Sequence, residues 1–172
     1  MTVTLAVVGT LALVVALGWL GLTARPAPFP EFPQATATPL ETVALRSGLP
    51  KPVDRFFRTA YGDRVPVIES AVLTGRARIR PVGPISVPAR YRFTHIARQD
   101  YRHYIEACWF GVPFLKVDES YLDGHSVIDI PIIGKDSGPE VEQAANLGLW
   151  AESWQFPAIL VTDPPRSLGA GR

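Results

Sequence analysis

From Thr2 to Ala24 the chain carries no charged side chain, and that run constrains the fold more than any other feature. Val, Leu, Ala and Gly dominate it, with Trp19 near its end. About 20 apolar residues in a helix cover the ~30 Å hydrocarbon core of a bilayer. The run is apolar all round, which excludes an amphipathic helix lying on a surface. Residues 1–24 therefore read as a membrane helix rather than a buried core helix. Met1-Thr2-Val3-Thr4 supplies no basic start, the run exceeds a signal peptide's apolar stretch, and Thr23-Ala24-Arg25 is a poor cleavage site. No cysteine directly follows for lipid attachment. An uncleaved, single-pass anchor is the expectation. Arg25 is the one flanking basic residue, so positive-inside logic leans towards a cytoplasmic C-terminal domain.

The 172 residues suit one domain plus an appendage. With 47% hydrophobic and 19% charged residues, disorder throughout is excluded. A formal net charge of +1 supplies no field for nucleic acid. Cys108 is the single cysteine, so no intrachain disulfide forms; a reducing compartment and a disulfide-free extracytoplasmic domain both remain open. Five prolines between Arg25 and Pro39 (Pro26, Pro28, Pro30, Pro33 and Pro39) remove backbone donors and fix φ. Residues 25–48 thus read as a semi-rigid, extended linker. The folded part starts between Leu40 and Lys51; residues 49–163 form the domain and residues 164–172 an irregular tail.

Within the domain, Pro52 to Gly62 reads as a short helix. Pro52 suits its first turn, Gly62 its end, and Val53, Phe56, Phe57 and Tyr61 share one face. That stripe is expected to dock on a sheet. Strands follow over Val67–Arg80, Arg90–Ile96, Tyr101–Phe110, Phe114–Tyr121 and His125–Ile133, with Gly111-Val112-Pro113 and Asp123-Gly124 as breaks. Arg76, Arg78 and Arg80 alternate as a solvated face. Tyr101, Ile105 and Trp109 fall on one side of the third strand, Tyr104 and Phe110 on the other, so both faces of the sheet need cover. The fold class expected is α+β: a curved antiparallel meander, half-barrel-like, packed with two short helices. Ser137-Gly138-Pro139-Glu140 has the spacing of a capping box, opening a helix that runs to about Trp150. Trp154, Phe156 and Pro157 end it in a loop.

Asp136-Ser137-Gly138-Pro139-Glu140, then Leu149-Trp150-Ala151-Glu152, then Phe156-Pro157-Ala158-Ile159-Leu160 resemble an uncharacterised bacterial membrane-anchored family, a domain of unknown function. Its hallmark is similar to D-x-S-G-P-E, an apolar helix, A-E and F-P-x-x-L; here Asp136 directly precedes Ser137. Tyr121-Leu122-Asp123-Gly124 and Gly111-Val112-Pro113-Phe114 also fit, and the resemblance covers roughly Leu49 to Asp163. It implies a membrane helix before a helix and a curved antiparallel sheet, and no activity. The family pattern continues with strands beginning near D-P-R-x-x-W-E, whereas this chain runs Asp163-Pro164-Pro165-Arg166 into a Gly-rich tail. The tail reads as a C-terminally truncated or frameshifted member, which leaves an unpaired sheet edge.

No catalytic constellation emerges. His103 and His125 could converge with Asp118 or Asp129, but neither Cys-x-x-Cys nor paired-His spacing is present, so no metal and no cofactor are expected. His95 is the remaining histidine. Ser137 lacks a nucleophile elbow. Glu140 and Glu152 lie at opposite ends of one helix and read as a capping and an end-of-helix residue, not an acid/base pair. Cys108 reads as a small buried hydrophobe. The leading functional reading is a membrane-anchored protein binding a lipid or other apolar ligand, with Tyr104, Trp109, Phe110, Phe114 and Trp150 as its binding residues. The alternative is a membrane-tethered interaction or assembly module with a protein partner. An enzyme ranks third.

Overall fold

The computed structural model describes residues 2–33, 39–81, 83–131 and 134–162. Helix α1 spans Thr2–Gly21, and only Gly21 is buried along it. It is long and apolar enough to cross a membrane. Strand β1 (Thr42–Ala44), helix α2 (Lys51–Tyr61) and strand β2 (Arg64–Pro66) follow. β1 and β2 pair antiparallel, Thr42 opposite Pro66. Strand pairing thus begins within the stretch read as linker; three-residue strands are too short to show alternation. Pro52 sits in the first turn of α2, and Gly62 closes it at φ 79°, its N–H donating to the Arg58 carbonyl. Of the expected apolar stripe only Phe57 is fully buried, stacked on Tyr61 at 6.1 Å between ring centroids.

The main sheet has six strands in chain order: β3 (Ser70–Ile79), β4 (Val87–Ile96), β5 (Asp100–Trp109), β6 (Val112–Leu122), β7 (His125–Ile130) and β8 (Gly134–Ser137). All neighbours are antiparallel and the sheet is an open meander, giving the expected α+β architecture. Two hairpins turn on two residues with positive φ: Phe110 (50°) with Gly111 (77°), and Asp123 (51°) with Gly124 (83°). That geometry matches the strands' right-handed twist and needs glycine or a tolerant residue. The first break is therefore Phe110-Gly111, not Gly111-Val112-Pro113, because Val112 already pairs with Trp109. The fifth strand ends at Ile130 rather than Ile133, residues 132 and 133 lying outside the described residues, and β8 adds a short strand that has no apolar alternation to announce it.

Register sorts the side chains onto two faces. On the inner face lie His95, Tyr101, Tyr121 and Ser126 in one row, then Leu73, Phe93, His103, Glu119 and Ile128. Gly75, Tyr91, Ile105 and Val117 form the next row, then Ala77, Ala89, Ala107 and Leu115. Helix α3 (Pro139–Glu152) and two 3₁₀ turns, Ser153–Gln155 and Pro157–Leu160, accompany this face. Ala145 and Leu149 pack with Tyr101, and Tyr121 flanks them. At the other end Val87, Ala107 and Leu115 form a second cluster, joined by Leu22 from just beyond α1. A bulge opposite Ala107 and Cys108 leaves Phe114 of β6 unpaired, and both Ala107 and Cys108 are buried.

The outer face carries Arg90, Arg92, Arg102, Tyr104, Glu106 and Lys116. Its cover is the proline-rich segment. Arg78 donates to the Leu22 carbonyl at 3.2 Å, Arg90 to Ala27 at 3.2 Å and Arg92 to Pro30 at 3.1 Å. The Phe29 ring lies beneath the Arg90 and Arg92 guanidinium groups, 5.8 Å from the Tyr104 ring. Residues 25–33 are thus strapped to the domain, and Arg78, exposed with Arg76 and Arg80 as expected, holds the Leu22 carbonyl just before the strap.

The end of α1 is fixed to the β5–β6 hairpin. Trp109 Nε1 donates to the Gly18 carbonyl at 3.1 Å, and the Phe110 N–H donates to Gly21 at 2.9 Å. A Cβ at Gly21 would stand 2.1 Å from Trp109 Nε1, inside contact distance. Gly21→Ala is expected to cost about 1–3 kcal/mol at this junction while both halves stay folded. Amide exchange at Phe110 should then quicken roughly tenfold or more, since 1.4 kcal/mol is one decade. Unchanged exchange would mean the indole relaxes without loss.

Candidate functional site

Strand register brings four polar side chains to one end of the inner face. His95 on β4 faces Tyr101 on β5, and His103 on β5 faces Glu119 on β6. Glu152, the last residue of α3, reaches over them. Glu152 Oε2 lies 2.9 Å from His103 Nε2 and 3.5 Å from His95 Nε2. On the other side of its ring, His103 Nδ1 is 3.7 Å from Glu119 Oε2, and Glu119 Oε1 accepts a 2.7 Å hydrogen bond from the Tyr101 hydroxyl. Phe93 and Tyr101 flank the His103 ring at 4.1 and 4.3 Å, and Phe156 lies 5.2 Å from His95. His95 is 2% and His103 7% exposed.

The electrostatics follow from this packing. Burial opposes charge on His103, but the Glu119 and Glu152 carboxylates outweigh it and push its pKa up to about 9. Burial dominates at His95, whose pKa falls despite Glu152, with His103 pushing it lower still. Contact with His103 lowers the Glu119 pKa against the opposing effect of burial. The Tyr101 hydroxyl is raised by burial and then by Glu119, so it stays a donor. Short separation is not alignment, however. His103 Nε2 and Glu152 Oε2 meet no partner in hydrogen-bond geometry, and neither ring nitrogen of His95 has one among the described residues. A proximity of 2.9 Å alone fixes no proton position.

A cleft of about 340 Å³ opens onto these groups. Glu140, Val141, Ala144, Ala145, Gly148 and Glu152 of α3 line one wall, and Tyr101, His103, Glu119 and Ile128 the other. Glu140 and Glu152 do stand at opposite ends of the helix, yet both face this one space. Glu152 is no surface residue of the helix end. The capping box does not form either: Ser137 is held in β8 opposite Val127, Gly138 occupies the cap position at φ 129°, and no side chain caps the helix. The strand runs one residue too far for Ser137 to turn back. Pro139 keeps its first-turn place, and Asp136 pairs with Ile128 in the ladder.

The other singled-out residues scatter. His125 is exposed, with Nδ1 3.0 Å from Glu142 Oε1, far from any histidine partner. Asp118 binds Arg102 on the outer face, and Asp129 meets Lys135 at 3.3 Å. His103 and His125 thus do not converge with these carboxylates; His95, His103 and Glu152 come together instead. Cys108 is fully buried. Tyr104 lies on the outer face and donates to Glu106 at 2.9 Å. Trp109, Phe110 and Phe114 gather at the hairpin beside α1, and Trp150 is half-exposed on α3. None of the five lines the cleft. Sequence reasoning passed over His95, Glu119 and Tyr101. The signal was available for the histidines: a turn centred on Arg98 pairs residue 95 with 101, so 103 falls next along the same face.

Residues 40–166 match the model of a family described as "Family of unknown function (DUF6544)". No curated protein and no solved structure matches the chain. The matched segment contains every strand among the described residues, α2, α3 and the whole His–Glu cluster, so the chain belongs to this family of unknown function.

Proposed function

We propose that this protein is membrane-anchored through α1 and holds a lipid or other apolar small molecule along the inner face of its sheet. The observation that carries the reading is a half-buried apolar stripe: Leu73, Tyr91, Phe93, Ile105 and Val117. It runs from the Leu22 cluster beside α1 to the polar cleft at the far end. Along β5 the six steps from His103 to Trp109 span about 20 Å at ~3.3 Å each. That exceeds one acyl chain, about 15 Å as half of a bilayer core. An apolar tail on the stripe with a polar head at the histidines matches the usual build of a ligand site, mostly apolar with few polar groups. Trp109, Phe110 and Phe114 then serve at the headgroup level, where aromatic side chains concentrate, rather than on the ligand. Arg25 leans the domain to the cytoplasmic side.

Native mass spectrometry of the full chain from membranes in mild detergent, with lipid extraction, tests this. The expected result is a stoichiometric apolar species, lost in Ile105→Glu. A clean unliganded mass with a folded spectrum overturns it. That outcome favours the second reading, a membrane-tethered interaction module, which one observation supports: Leu147 and Trp150 are exposed three residues apart on α3, and Trp154 is exposed in the 3₁₀ turn that follows it.

A further inference from the structure

We propose that His95, His103 and Glu152 form a binding site for a divalent transition metal ion of the zinc type, with a fourth coordination position open to the cleft. The three ligand atoms all lie within 4.8 Å of one another. Around a tetrahedral zinc with bonds of about 2.0–2.1 Å, ligand atoms sit about 3.3 Å apart. The observed separations of 2.9 and 3.5 Å from Glu152 Oε2 bracket that value.

Three independent features favour a metal over a proton shared between histidine and carboxylate. The first is orphaned polarity. His95 Nε2, His103 Nε2 and Glu152 Oε2 point into one space without an aligned hydrogen bond among the described residues. Buried polar atoms left so are rare and costly, and a cation at their centre satisfies all three at once. The second is the support behind the ligands. Glu119 stands against the far nitrogen of His103, and Tyr101 holds Glu119. A carboxylate behind a histidine is the usual way a ligating ring is oriented and made more basic. The third is the count of ligands. Two histidines and one glutamate close three positions of four, and the 340 Å³ cleft lies over the remaining side, lined by His103 and Glu152 themselves. Sites that keep one position for water or ligand have this composition. The three ligands are in place whether or not an apolar molecule occupies the stripe.

The test uses the full chain in mild detergent, stripped with chelator and titrated with Zn²⁺ alone and with Co²⁺ as spectroscopic probe. The expected result is one tight zinc per chain and the intense visible bands of four-coordinate cobalt. His103→Gln and Glu152→Gln should weaken zinc more than 100-fold with circular dichroism unchanged. Glu119→Gln should weaken it about 10- to 100-fold at the same stoichiometry. His125→Gln, altering an exposed histidine outside the cluster, should bind as the parent does. Folded parent protein that binds no zinc, binding equal in parent and Glu152→Gln, or octahedral cobalt spectra would each overturn the site. Lipid content in the same samples reports separately on the apolar stripe.

Discussion

Glu106→Ala is expected to destabilise the domain by about 3 kcal/mol or more. Glu106 is 5% exposed on the outer face, with Oε2 2.6 Å from Arg90 Nε and Oε1 accepting from the Tyr104 hydroxyl at 2.9 Å. Truncation leaves a half-buried guanidinium and a hydroxyl unpaired together, the costly way to break such a pair. In urea, with a slope of about 1–3 kcal/mol per molar, the midpoint of the circular-dichroism transition should fall by roughly 1–3 M. Glu106→Gln keeps both acceptor and shape and should lose about half as much. Equal midpoints for Glu106→Ala and the parent would show that Arg90 finds water or its linker carbonyl sufficient.

Ile159→Ala should cost about 2–5 kcal/mol, as for other fully buried aliphatic truncations. Ile159 is 2% exposed and pins the Pro157–Leu160 turn. The guanidinium of Arg98, at the positive-φ turn between β4 and β5, grips this turn through the Ile159 and Thr162 carbonyls. Loss of about 3 kcal/mol lowers Tm by roughly 10 °C. A change below about 2 °C in the thermal transition would mean that the turn is held by the arginine alone.

How much of this was legible beforehand follows from the range of each signal. Apolar length gave α1, proline and glycine gave the ends of α2, and alternation with tight turns gave five strands of the meander. Strands β1, β2 and β8 escaped because three or four residues carry no period. Ser137 showed the limit of local motifs: its spacing to Glu140 is right, but ladder pairing with Val127 outcompeted the cap. The site was harder. Glu152 meets the histidines only after α3 folds back over the sheet, a contact across 49 or more residues with no local trace. The aromatic residues drew attention as large side chains, yet size alone says nothing about which face they take. The irregular tail, residues 164–172, lies outside the described residues; resequencing the locus tests whether it is a frameshift.

The strap over the outer face has a consequence for how this chain can change. Its arginines donate their hydrogen bonds there to main-chain oxygens, those of Leu22, Ala27 and Pro30. Proline suits this role, for it offers an acceptor and no competing donor while keeping the backbone extended. Sequence drift along the strap is therefore tolerated wherever extension survives, Phe29 excepted. The constraint falls instead on Arg78, Arg90 and Arg92. A lysine there keeps the charge and loses the planar fork that lets one side chain grip a carbonyl and a second partner together.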